Sequence, residues 1–132
     1  MSSRVCPGPP GDTHVLNLDN DRWQELACQG NPPSSRCGHT SFAKDGYLYI
    51  FGGWNNEQQF NDLFMLDVEN KDWSDLDMPW GVPRWNCNAQ VVEAIPSWRV
   101  FIFGGVCDKH QEGRSMGIFD TSIGVLDLGE KS

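Results

Sequence analysis

The chain of 132 residues carries 18 acidic and 10 basic side chains, a net charge of −8, and is 39% hydrophobic. That length and apolar content suit about one folded domain with a packed core. The acidic balance repels phosphate backbones and anionic headgroups, so no nucleic-acid partner is expected and a protein partner with a basic surface fits better.

Residues 1–12 contain Cys6-Pro7-Gly8-Pro9-Pro10-Gly11 and have no periodicity; they read as a flexible lead-in. Met1-Ser2-Ser3-Arg4 leads into proline and glycine, not into the apolar core of a signal peptide. No later apolar run approaches the ~20 residues that span a bilayer, so membrane insertion is not expected and the cytoplasm is the expected location.

From His14, Val15-Leu16-Asn17-Leu18-Asp19 reads as a strand and Arg22-Trp23-Gln24-Glu25-Leu26 as a second, joined by the polar turn Asn20-Asp21. Residues 29–35, with Pro32-Pro33, read as a loop. Arg36 to Ala43 then leads through the turn Lys44-Asp45-Gly46 into Tyr47-Leu48-Tyr49-Ile50-Phe51, an unbroken apolar run that suits a strand covered on both faces. Gly52-Gly53 ends it. After the loop 54–61, strands are expected over 62–67 and 72–77. Four short strands joined in sequence make an antiparallel meander.

The pattern then restarts at a spacing of about 50 residues. Arg84 echoes Arg36, Gly104-Gly105 echoes Gly52-Gly53, Trp73 echoes Trp23, and Leu126-Asp127 echoes Leu66-Asp67. No long stripe of period 3.6 is present, so the expected class is all-β with little or no helix.

Arg36-x-Gly38-His39, an apolar strand closed by Gly52-Gly53, Asp62 with Leu66-Asp67, and Trp73 together resemble the repeat of Kelch-type β-propellers. The resemblance divides the chain into a lead-in at 1–12, the last two strands of a partial blade at 13–27, a complete four-stranded blade with its preceding loop at 28–78, a third, truncated blade at 79–129 and a tail at 130–132. The second copy of the motif reads Arg84-Trp85-Asn86-Cys87, without its Gly and His. Propellers close with about four to eight blades, and this chain supplies about two and a half, an incomplete ring. Its open blade faces are expected to be covered in a larger complex, in a longer propeller or by a second copy.

For Arg36, Gly38, His39, Gly52, Gly53, Trp73, Gly104, Gly105 and Trp23 the resemblance implies a structural role: glycines letting a tryptophan ring lie on the backbone, Arg36 and His39 hydrogen bonding between blades. Aromatics outside the repeat pattern are the candidates for partner binding: Trp54 and Phe60 on one loop, Trp80 on the next connection and Trp85 beside it. Alternate strand reversals place loops 54–61, 77–83 and 106–117 at one end of the blades. Trp98 is expected to pack the turn before the second apolar strand.

No catalytic residue, metal ligand or cofactor is expected. Cys6, Cys28, Cys37, Cys87 and Cys107 lack the close spacing of zinc ligands and read as reduced thiols. Gly124 to Ser132 imitates a phosphate loop with Glu130 inserted, and Asp19-Asn20-Asp21 begins a calcium loop without its glycine. The resemblance implies a non-enzymatic scaffold or adaptor, as in ubiquitin-ligase substrate capture, actin binding, or cytoskeletal and ciliary assemblies. The alternative is a fragment of a propeller enzyme, either a metal oxidase or one acting on sugars or small molecules.

Overall fold

The computed structural model describes residues 12–77, 83–94, 97–111, 114–119 and 123–127. Every regular element among them is a strand. β1 (His14–Asn17) and β2 (Arg22–Glu25) form an antiparallel hairpin. β3 (Gln29–Gly30), β4 (Thr40–Lys44), β5 (Tyr47–Phe51), β6 (Leu63–Asp67) and β7 (Asp72–Asp75) form one sheet in the order β3-β7-β6-β5-β4. β8 (Asn88–Ala94) and β9 (Ser97–Phe103) precede a separate hairpin of β10 (Val106–Gln111) and β11 (Arg114–Phe119). β12 (Ile123–Asp127) then returns beside β9 to give a sheet ordered β12-β9-β8.

Two elements differ from the sequence reading. Gln29–Gly30, read as loop, adds a fifth strand parallel to Asp72–Trp73. It is two residues long, too short to show any periodicity, and Gly30 fits only because it has no side chain: a β-carbon there would lie 2.2 Å from the Trp73 carbonyl oxygen. Of the stretch 106–117, also read as loop, residues 106–111 and 114–117 are strand in the β10–β11 pair, and the sequence Val106-Cys107-Asp108-Lys109-His110-Gln111 has no apolar alternation to announce it.

The β6–β7 and β1–β2 connections show how the repeat fixes local geometry. The Asp67 carboxylate accepts from the Asn70 amide at 3.0 Å and its side chain at 2.8 Å, and Lys71 closes the turn with φ 56°. One repeat earlier, Asn17 accepts from Asp19 N at 2.8 Å and Asp21 takes φ 53°. Short polar side chains accepting from the backbone two or three residues on stabilise such turns.

Cross-strand register sorts the first full sheet into two apolar faces. Ile50 pairs with Phe64, Leu48 with Leu66, and Leu66 with Trp73, and this face is buried with Cys28 against it. On the other face Phe42 stacks on Tyr49 at 4.8 Å and Phe51 pairs with Leu63. The next sheet closes over this side, adding Cys87, Val100 and Ile102 to one shared core. At the far end of the same interface Lys44 sets its ammonium 3.5 Å from the centre of the Trp98 ring, so Trp98 locks one blade to its neighbour.

The Gly52-Gly53 pair makes the blades fit, though not by seating a tryptophan ring as expected. A β-carbon on Gly52 (φ 67°) would lie 2.5 Å from the Arg84 carbonyl oxygen of the next blade, and one on Gly53 would lie 2.9 Å from Cys37 O. The Gly53 amide donates to that same Arg84 carbonyl at 2.9 Å. Backbone therefore occupies the space, and a bulky ring has no room. The missing Gly of the second motif is also explained: Asn86 takes φ 54° where Gly38 has 65°, and asparagine tolerates that left-handed region better than other side chains. Its amide donates to the Gly38 carbonyl at 2.6 Å, tying successive motifs together.

Gly104 (φ 72°) holds the position equivalent to Gly52, but no described atom lies within 4 Å of the β-carbon it could carry. Alanine at either glycine incurs the left-handed penalty of about 1–2 kcal/mol. At Gly52 the displaced Arg84 carbonyl should add ~1–3 kcal/mol. Urea unfolding in dilute protein should accordingly rank Gly52→Ala well below Gly104→Ala; equal losses would mean that the carbonyl is not held against Gly52.

Candidate functional site

The loop between β5 and β6 is closed at its base by one side chain. The Arg36 side chain is 3% exposed, and each of its five N–H donors has an acceptor. Nε donates to Ser34 O at 3.1 Å; Nη1 to Gly52 O at 3.1 Å and Asp62 Oδ1 at 2.5 Å; Nη2 to Asp62 Oδ2 at 3.0 Å and Ser34 Oγ at 3.2 Å. Gly52 and Asp62 are the two ends of the loop, so the guanidinium joins them as a fork. The sequence reading gave Arg36 hydrogen bonds between blades; its bonds instead stay within its own repeat, because the carboxylate that matches its geometry stands at the far end of its own loop.

The loop's interior follows from that closure. Trp54 exchanges two backbone hydrogen bonds with Cys37, at 2.9 and 3.0 Å, and Phe60 N donates to Gly53 O at 2.8 Å. Asn55 Oδ1 accepts from the amides of Glu57 and Gln58, and Asn56 turns the tip with φ 74°. One repeat later Trp85 and Val106 exchange the same pair of backbone bonds, at 3.1 and 2.8 Å. Arg84, 3% exposed, stands where Arg36 does and donates to Gly104 O at 3.4 Å. Its match with Arg36 in sequence was the available signal for this role.

These two constructions bring Trp54 and Trp85 together. Their rings lie 5.7 Å apart, tilted by 42°, and both are half-buried at the end of the blades where the long connections emerge. Phe60 does not join them. It is 8% exposed and lies under the Arg36 guanidinium, 3.9 Å from the ring centre, so it supports the loop from below. An aromatic ring beside a buried cation is held there by its electron-rich face. Trp80 falls in 78–82, outside the described residues.

The repeat residues are distributed as follows. Trp73 is 5% exposed, and its indole N–H donates to Thr13 Oγ1 at 3.3 Å. Trp23, its counterpart, is 69% exposed. Gly38 borders the Trp85 side chain, and Gly105 borders Trp85 O and Cys87. Burial, with Arg36 nearby, holds His39 below its ordinary pKa, so it is neutral at pH 7. Burial pushes the Cys87 thiol up, with Arg84 opposing, which leaves it a weak nucleophile. Cys28, Cys37, Cys87 and Cys107 are free thiols. Among the described residues no three His, Cys, Asp or Glu come together as a metal-holding group, and no helix is long and apolar enough to cross a membrane.

Among the described residues the arrangement presents aromatic surface on clamped loops. Comparison with known proteins gives it a family: the KLHDC2/KLHL20/DRC7 Kelch-repeats domain matches residues 8–125. The chain belongs to the Kelch-repeat family. Among individual relatives, acyl-CoA-binding domain-containing protein 5 of Arabidopsis thaliana is 39% identical over 99 residues, covering 74% of this chain and 15% of that protein. Dynein heavy chain-like protein 2 of Plasmodium falciparum is 38% identical over 121 residues, covering 89% of this chain and 2% of that protein. Human Kelch domain-containing protein 10 is 31% identical over 97 residues, covering 71% of this chain and 22% of that protein. The Kelch chain thus spans a small part of each of these relatives.

Two measurements test the clamp. Arg36→Met should lower stability by about 3–5 kcal/mol, because it leaves the Asp62 carboxylate and the Gly52 carbonyl without their donor. Adding Asp62→Leu should recover part of that loss; equal stability of wild type and Arg36→Met would show that the fork contributes nothing. His39 gives a pH signature. Its folded pKa is depressed, so its contribution is fully present above the unfolded value of about 6.5 and falls as pH drops towards the folded one. Chemical denaturation between pH 7.5 and 5 should lose less stability in His39→Gln than in wild type.

Proposed function

We propose that this Kelch chain is a non-enzymatic interaction scaffold or adaptor segment that holds a protein partner on the face carrying Trp54 and Trp85. The observation that carries the reading is the paired, half-buried indoles on loops fixed by Arg36 and by the Trp85–Val106 bridge. Rigid aromatic groups of this kind contribute much of the binding energy at protein interfaces and lose little conformational entropy when covered. In the sequence Trp80 stands between Asp77 and Arg84, and it is a further candidate for partner binding.

The net charge of −8 favours a partner with a basic patch and disfavours nucleic acid. A cytoplasmic setting, including cytoskeletal or ciliary assemblies, fits the similarity to a dynein heavy chain-like protein.

Trp54→Ala and Trp85→Ala should each weaken capture of the partner at least ~tenfold, as expected for hot-spot aromatics, while the melting temperature holds within a few degrees. Proteins recovered from a lysate by wild type and by each variant, quantified side by side and with unfolding followed in parallel, give the readout. Unchanged capture, or loss of the fold in both variants, would assign the two rings to architecture.

A further inference from the structure

Two arginines stand beside the paired indoles, and both turn their charge inward. The Arg36 side chain is 3% exposed, with its donors held by Ser34, Gly52 and Asp62. Arg84 is 3% exposed and donates to Gly104 O. Outward, the loop 54–61 carries one charged residue, Glu57, and it is exposed. Asn55 Oδ1 accepts from the Glu57 amide at 3.1 Å, which holds the backbone of that residue three positions after Trp54. The loop thus offers a partner aromatic surface and negative charge on one short, held segment.

Trp54 and Trp85 lie with ring centres 5.7 Å apart and planes tilted by 42°, each half-buried. The face of an indole attracts a cation within about 6 Å of its centre more strongly than any other side-chain ring, and the attraction grows as the cation loses water. A cation seated against two adjoining indoles is drawn by both and is dried by both. The molecule already uses this attraction internally: the Arg36 guanidinium lies 3.9 Å from the centre of Phe60, and the Lys44 ammonium 3.5 Å from that of Trp98.

We infer that the Trp54–Trp85 pair receives an arginine side chain of the partner, the guanidinium lying on the indoles and the Glu57 carboxylate favouring its charge. Arginine is the occupant because its guanidinium is planar and weakly hydrated, so it stacks on an aromatic surface at small cost and keeps its edge donors for a carboxylate. The chain's net charge of −8 draws the same kind of group. The inference rests on the partner-binding role proposed for these indoles and names the chemical group they bind.

Three capped peptides of glycine and serine, identical except for arginine, citrulline or leucine at the centre, are the probes. Citrulline keeps the size and planarity of arginine without its charge. At about 0.15 M salt, the arginine peptide should shift the indole N–H magnetic resonance signals of Trp54 and Trp85 with a Kd at least ~threefold below those of the other two peptides. Trp54→Leu and Trp85→Leu assign the two signals among the six tryptophans and should each abolish the arginine preference. Trp23, 69% exposed in a different hairpin, is the internal reference and should respond far less. Glu57→Gln changes one exposed side chain and should weaken the arginine peptide about twofold while leaving citrulline unchanged, which keeps the test decisive if a leucine variant does not fold. Equal response to arginine and citrulline would overturn the inference and leave the indoles as an uncharged aromatic surface for a partner. An arginine preference that survives both leucine substitutions would overturn it by placing the cation elsewhere on the chain. Absence of any response would overturn it too, whereas capture from a lysate tests the partner-binding role by itself.

Discussion

A guanidinium buried at 3% exposure and satisfied on all five N–H groups is the constraint on which the rest of the molecule depends. A buried cation is costly unless paired and fully hydrogen-bonded, so Arg36 dictates where its acceptors must be. Its partners are Ser34, the carbonyl just after β5 and the carboxylate just before β6. Closing both ends of the β5–β6 loop on one rigid fork removes the freedom that an eleven-residue connection, Gly52 to Asp62, would otherwise have. Phe60 beneath the cation and Trp54, bonded to the Cys37 backbone, then have fixed stations.

Contact between blades has a different basis. It rests on backbone approaching backbone, with Gly52 and Gly53 admitting the Arg84 carbonyl, and on the apolar faces meeting behind it. Such contact tolerates changes of side chain provided the dihedral angles survive. Asn86 replaces Gly38 at nearly the same φ, and Cys87, small and buried, replaces His39. The repeat therefore persists in shape where its letters have changed.

This explains what was legible in the sequence. The apolar run Tyr47–Phe51, the Gly-Gly pairs, the Asp-rich turns and the spaced tryptophans reported strands, their order and the Kelch repeat, because each is a local consequence of backbone geometry. The position of Trp54 beside Trp85 was legible only as loops sharing one end of the blades. What the letters did not disclose depends on long-range partners: Phe60 looked like an exposed loop aromatic until Arg36 was placed over it, and Trp23 matched the buried Trp73 in sequence though not in exposure. The β10–β11 hairpin and the two-residue β3 carry no periodic signal at all, since their pairing depends on what lies beside them and not on an alternating pattern.

β3 has a consequence out of proportion to its length. An outer strand with unpaired amides and carbonyls invites another chain to add itself as one more strand, the route to unlimited sheet growth. Gln29 and Gly30 occupy part of that edge along β7, and Gly30, at φ 86° with the Trp73 carbonyl against it, turns the chain away after two residues. The sheet is thereby discouraged from growing sideways along β7, and two residues are enough to guard its most exposed backbone.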